Sequence, residues 1–327
     1  MKTFQAYRIF NEQDKVEARF VDVGHDDLDA GEVTIRNCYA SVNYKDALAA
    51  TGKGKIIRRF PCIGGIDAAG VVESSTDPRF SPGDEVVVHG HAFGVSHNGG
   101  YAPVVRVPAD WPVHLPKGLT LLDAITLGVA GYTAALAVDL LELNGLRPEG
   151  GKVLVNGATG GVASVAIDLL AARGYDVVAL TGKPAEADYL RSLGAGEVLN
   201  ARELAMGTKP LESAQWAGAV DSLGGSPLAW LTRTMRTDGV IASLGNAAGI
   251  ELQTTVLPFI LRGVRLIGVN SDNPPATTRR IWERLATDLR PRHLDRIARV
   301  VPFEELPQAL SDAAEGRVRG RTVVELA

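Results

Sequence analysis

Cysteine is nearly absent: the chain of 327 residues has only Cys38 and Cys62. Two thiols cannot form a disulfide framework, and a reducing compartment, the cytoplasm, is the expected setting. Long apolar runs are missing as well. No stretch approaches the ~18 uninterrupted apolar residues of a membrane span, since even 163–180 is broken by Asp168, Arg173 and Asp176. The opening Met1-Lys-Thr-Phe-Gln-Ala-Tyr-Arg-Ile-Phe10 lacks the apolar core of a secretory signal, so neither export nor a membrane partner is expected. An excess of one charge is lacking too: 34 Lys and Arg face 38 Asp and Glu, a net charge of -4, which gives no electrostatic reason to expect nucleic acid. Internal repeats and low-complexity tracts are also missing, which argues against a solenoid or a disordered scaffold.

What remains is ordinary globular material, 46% hydrophobic and 22% charged, long enough for two domains. Up to about Leu121, short β-rich runs such as Val33–Ala40 and Glu85–His89 alternate with Gly, Pro and Asp turn signals. From Leu122 the texture becomes helical, and the apolar runs 153–155, 177–180, 217–221, 240–244 and 264–270 then alternate with helical stretches. That alternation predicts βαβ units and a doubly wound parallel sheet. The expected fold class is α/β: a mostly-β domain over 1–122 and a parallel-sheet domain over 123–290. Charge-rich helices at 277–289 and 304–315 and the strand Arg321–Leu326 follow, and the tail 291–327 is expected to complete the first domain.

The strand Val153–Val155 runs into Asn156-Gly157-Ala158-Thr159-Gly160-Gly161-Val162-Ala163 and then into a helix. Glycines there permit a tight turn and let backbone amides approach a pyrophosphate, while the helix N-terminus favours negative charge. Ala163 stands where a third glycine often sits. The strand–turn–helix order separates this motif from a plain glycine turn, and Thr159, Gly160, Gly161 and Val162 become candidate phosphate contacts. An NAD site places an acidic residue roughly 20 residues on, against the ribose 2′-hydroxyl. Here the next strand ends Thr181-Gly182-Lys183, and no carboxylate occupies 177–185. A hydroxyl, a glycine and an ammonium suit a 2′-phosphate, so NADPH is the expected cofactor. Arg202 and Tyr189 are further candidates on the adenosine side.

Several strings together resemble the medium-chain dehydrogenase/reductase superfamily: Gly64-Gly-Ile-Asp67-Ala-Ala-Gly70, Pro82-Gly-Asp-Glu-Val86, Gly128-Val-Ala-Gly131-Tyr-Thr133-Ala134 and Asn156–Ser164. Val42-Asn43-Tyr44-Lys45-Asp46-Ala47, the segment 51–58 and Val256–Arg262 resemble its NADPH-dependent acryloyl-CoA reductase branch, which also carries quinone oxidoreductase names. The resemblance covers essentially the whole chain. It implies a GroES-like catalytic domain, a Rossmann domain, and reduction of a double bond conjugated to a carbonyl. It also implies no zinc: Ile66 stands where the metal-binding His falls in zinc members, Asn43 or Tyr44 near the first Cys ligand, and two cysteines cannot complete either of their zinc sites. His89, His91 and His97 form the alternative metal cluster, against which stands a reading as loop histidines with His97 near the substrate mouth.

Adding hydride to such a double bond requires a hydrogen-bond donor at the carbonyl oxygen and a proton source. Tyr44 is the first candidate, because its phenol can donate and the matching family segment lines the substrate cleft; packing or a cofactor contact is the other reading. Asn43 and Asp67, by resemblance at the nicotinamide end, either orient substrate or water or, for Asp67, tie loops together as a buried carboxylate. Lys53, Lys55, Arg58 and Arg59 form a basic loop, either a landing site for the phosphates of coenzyme A or a solvated surface. Thr133 and Ser271 are assigned to the cofactor by resemblance. The run 264–269 reads as an exposed sheet edge that a homodimer would cover. Two rival functions remain open, an NADPH:quinone reductase and a non-catalytic NADPH-binding module.

Overall fold

Valine-rich segments form two independent strand systems in this computed structural model, which describes residues 3–326. The first unit takes the chain up to Val129, then Asp272–Ala286 and the residues from Ala298 onward. Its main sheet is organised around Val33–Val42, which pairs antiparallel with Asp67–Ser75, Val104–Val107 and Arg321–Glu325. Glu85–His89 and Val113–His114 extend one side, and Ala298–Pro302 runs parallel to Arg321–Glu325 on the other. Thr3–Glu12, Lys15–Gly24 and Cys62–Ile63 make a separate three-stranded sheet. Alternation puts Val33, Ile35, Val72, Val86, Val88 and Val105 into one core cluster, as period-two burial requires.

The helix Pro275–Ala286, which the sequence places in the second domain, belongs with the first unit. Its apolar stripe Ile281, Trp282 and Leu285 is fully buried, and the Trp282 Nε1–H donates to His89 Nε2 at 2.9 Å. Burial, with a smaller contribution from His91, holds the His89 pKa down to about 3, so the ring stays neutral and can accept that bond. His89 ends the strand Glu85–His89, as the β-rich run 85–89 predicts, so the reading of His89 among loop histidines does not hold.

The second unit, Ala130–Ser271 with Thr287–Ile297, holds a six-stranded sheet. Its order is Glu197–Asn200, Val177–Thr181, Val153–Asn156, Trp216–Asp221, Met235–Ser243, Arg265–Gly268, all parallel. Five of these strands match runs expected from sequence. Glu197–Asn200, half-buried along its length, was not among them. The chain starts in the middle of the sheet, winds outward one way, and returns to build the other half. This creates a switch point beside Val153–Asn156, where ligands bind in doubly wound sheets. Asp168 is buried in the helix Gly161–Ala172 and accepts from the backbone N–H groups of Arg292 and His293 and contacts the His293 ring, tying 287–297 to this unit.

The helix Leu121–Leu143 is broken at Gly128, whose φ of 48° and ψ of -151° are open to glycine and costly for other residues. Against the sequence expectation, this helix is long and apolar enough, by length and composition, to cross a membrane; 78% of its most apolar window is buried within the protein, as in a core helix.

Candidate active site and cofactor site

At the switch point, Gly157 takes φ +60°, and a Cβ there would press on Leu223 and Ser222. The turn closes with Gly160 N–H donating to Gly157 O at 2.8 Å, and the helix Gly161–Ala172 begins. Gly160 has no side chain with which to cap that helix, and its first turn carries no acidic residue. The first N–H groups of a helix lack intrahelical acceptors, so Gly161, Val162 and Ala163 present donors to an anion. Buried Ala163 leaves room for close helix–sheet packing. Sequence reasoning missed the opposite wall, formed by the end of Trp216–Asp221. Asn156 Nδ2 donates to Asp221 Oδ1 at 2.5 Å, and Asn156 Oδ1 accepts from Ser222 N at 2.7 Å. The buried Ser222 Oγ has no hydrogen-bond partner among the described residues, an unsatisfied polar atom at this end of the strand. The available signal was a glycine pair, Gly224-Gly225, directly after a buried strand.

The neighbouring strand brings the adenosine-side candidates together. Thr181 pairs with Asn200, and Ala201 N donates to Thr181 O at 2.8 Å, which sets Arg202 beside the Thr181–Lys183 turn. Thr181 Oγ1 accepts from Lys183 N at 3.0 Å, nothing lies within 4 Å of a Cβ built on Gly182, and partial burial lowers the Lys183 pKa. Lys183 and Arg202 supply the cations and Gly182 the space that a ribose 2′-phosphate needs. These residues fit a dinucleotide phosphate. Thr133 is buried in the helix Leu121–Leu143, and Ser271 follows the strand Arg265–Gly268.

In the first unit, Asn43 precedes the helix Tyr44–Thr51. Tyr44 is 51% exposed, so its phenol is accessible, whereas Asn43 and Asp67 are buried. Asp67 Oδ1 accepts from Ser41 N at 3.0 Å and Ser41 Oγ at 2.7 Å, and Oδ2 from Asn43 Nδ2 at 3.1 Å and Val129 N at 3.2 Å. The Arg321 guanidinium lies 3.6 Å from the same carboxylate, donates to Asn43 Oδ1 at 2.9 Å and Thr126 O at 3.0 Å, and reaches Ser41 Oγ. Asp46 accepts from Asn43 N and Nδ2 at 3.0 and 3.1 Å, and from Ile66 N at 3.1 Å. Burial, then the charge of Asp67, pushes the Asp46 pKa up to about 7. Asn43 and Asp67 thus spend polar atoms on the protein itself, Asp67 tying segments together as a buried carboxylate, and of the three only Tyr44 is exposed.

Lys53, Lys55 and Arg58 are exposed on their loop, while Arg59 is engaged by Asp29 at 2.5 Å. His97 is engaged by backbone carbonyls of its own unit. Its Nδ1 lies 3.1 Å from Asn98 O, its Nε2 3.3 Å from Ala30 O, and its ring packs edge-on against Trp111. The residues do not fit a zinc ion: among the described residues no three His, Cys, Asp or Glu side chains come together to hold one. Burial raises the Cys62 pKa to about 12, the reverse of what a thiolate ligand requires.

Two family models match, the alcohol dehydrogenase GroES-like domain over residues 29–117 and the zinc-binding dehydrogenase over 161–287. The "Putative quinone oxidoreductase YhfP" of Bacillus subtilis is 47% identical, with 99% of each chain covered. Its structure with NAD bound superposes at a TM-score of 0.97 and 46% identity, over 100% of both chains. The acrylyl-CoA reductase AcuI of Ruegeria pomeroyi is 45% identical over 96% of each chain. The structure of Escherichia coli K-12 YhdH with bound NADPH matches at a TM-score of 0.96 and 44% identity, covering 99% of this chain and 100% of that one. This chain therefore belongs to the medium-chain dehydrogenase/reductase superfamily, in the branch of these relatives, and its fold is a GroES-like unit with a Rossmann unit.

The Asp46 carboxyl gives the site a pH signature. Its folded pKa lies above the unfolded value of 3.8, so its contribution to stability is complete below about pH 4 and is lost as pH rises through about 7. Thermal melts of the wild type and Asp46→Asn across that window should show the wild type losing ground as pH increases. A difference independent of pH would contradict the assignment.

Proposed function

We propose that this protein reduces the carbon–carbon double bond of a short 2-enoyl-CoA, acryloyl-CoA to propanoyl-CoA, with NADPH. The observation that carries the reading is the match of 45% identity over 96% of the chain to an acrylyl-CoA reductase. The turn Thr181-Gly182-Lys183, free of carboxylates, supports NADPH over NADH, although one relative was solved with NAD.

Bound NADPH supplies a hydride, which is added to the β-carbon of the thioester. The chain's own residues do the rest. The Gly157–Val162 turn and the helix start hold the pyrophosphate, with Ser222 as an additional polar contact; Lys183 and Arg202 hold the 2′-phosphate. Thr133 and Ser271 are assigned to the nicotinamide end. Tyr44 donates a hydrogen bond to the thioester oxygen as enolate charge develops, or delivers the proton to the α-carbon. Asn43 and Asp67 hold the turn from which Tyr44 projects. Lys53, Lys55 and Arg58 attract the coenzyme A phosphates.

Reduction of a quinone is the second reading, favoured by the name of the B. subtilis relative. The basic loop separates the two. Arg58→Glu should raise KM for acryloyl-CoA by about tenfold and leave a small quinone unaffected; equal effects on both acceptors would sink the coenzyme A role of the loop. Tyr44→Phe should lower kcat with NADPH affinity intact, and unchanged turnover would remove Tyr44 from the chemistry.

The two cysteines, both free thiols, suit the cytoplasm. A homodimer is supported by Arg265–Gly268, the last strand of its sheet, and by the exposed Ile250, Val256, Ile260 and Leu261 in the segment preceding it. Sedimentation of Ile260→Asp should show monomers where the wild type shows dimers, and a monomeric wild type would end that part of the reading.

A further inference from the structure

Arg321 is separated from Ser41 by 280 positions in sequence, yet its side chain is buried among the residues that precede Tyr44. Strand pairing explains the approach, since Thr322 lies opposite Val42 in the antiparallel ladder. The guanidinium contacts three segments at once: Ser41 and Asn43 before the helix Tyr44–Thr51, Asp67 on its strand, and Thr126 O in the helix Leu121–Leu143 just before its break at Gly128. Gly128 completes the packing, because a Cβ on it would collide with the Asp67 carboxylate and lie 2.9 Å from Arg321 Nη2. Five donors in a rigid planar fork are preorganised to hold three segments simultaneously; an ammonium has three donors on a flexible stem and no such fork.

We propose that Arg321 is a positioning residue for Tyr44: its guanidinium fixes the Ser41–Asn43 segment through Ser41, Asn43 and Asp67, and so sets the direction in which the Tyr44 phenol projects. The functional part of this inference rests on Tyr44 acting on the substrate as proposed above. The groups facing the cluster are Asp46, Asp67, Tyr101 and Arg321 itself, two carboxylates against one cation. Burial raises the pKa of both Asp46 and Tyr101, and burial lowers that of Arg321 while the carboxylates oppose the shift.

The test is Arg321→Lys, which keeps the charge and loses the fork. Protein labelled with 3-fluorotyrosine, with the Tyr44 signal assigned through Tyr44→Phe, reports the phenol directly by fluorine NMR. The Tyr44 resonance should shift or broaden in Arg321→Lys, while those of Tyr175 and Tyr189 in the other unit stay in place. kcat for acryloyl-CoA should drop about tenfold or more, as small misplacements of a reacting group do, with KM and NADPH affinity within about twofold. If Arg321→Lys does not fold, Ser41→Ala removes a single leg of the network and decides the matter by the same resonance. An unmoved Tyr44 signal in the folded variant overturns the proposal. A wild type inactive on acryloyl-CoA would overturn the substrate reading instead, and the NMR result would still stand or fall independently.

Discussion

A carboxylate without compensation cannot remain in a protein interior, and Asp67 is wholly buried. Every feature around it answers that constraint. Ser41 and Asn43 turn their donors toward it, Val129 offers its backbone N–H where the helix breaks at Gly128, and Arg321 approaches from the C-terminal strand. Removing one member of such a buried pair costs on the order of 3–5 kcal/mol, because the other charge is then stranded. The C-terminal strand is thus a structural part of the segment that carries Tyr44, however distant in sequence.

The Rossmann unit solves a different problem, that of holding an anion without burying a compensating charge. Its strand order opens the sheet beside Val153–Asn156, and the glycine turn and uncapped helix start supply backbone donors there. Selectivity at the adenosine end is assigned to the far end of the next strand, where the pairing of Thr181 with Asn200 gathers Lys183 and Arg202. A scaffold of backbone dipoles with a few placed cations is economical for a phosphate-rich cofactor.

The cofactor turn was legible in the sequence because its elements are contiguous: a strand, glycines and a helix within a dozen or so residues. Most strands were legible through apolar runs, and Glu197–Asn200 escaped because its only apolar residues are Val198 and Leu199. What sequence reading could not supply was long-range. Ser222 joins the site through the pairing of nonconsecutive strands, and Pro275–Ala286 packs with the GroES-like unit because Trp282 seats against His89 there. Asp46 and Arg321 look like ordinary surface charges in one dimension, and only the fold buries them together. The backbone carbonyls that engage His97 are equally invisible in one dimension.

The most direct measurement is the loss of reduced-nicotinamide absorbance on mixing chelator-treated protein with acryloyl-CoA or a simple quinone, using NADPH and NADH in parallel. Rapid, chelator-insensitive consumption of NADPH with acryloyl-CoA, well above that with NADH or with the quinone, is the predicted result. Turnover of the quinone alone, or activity abolished by the chelator, would contradict it.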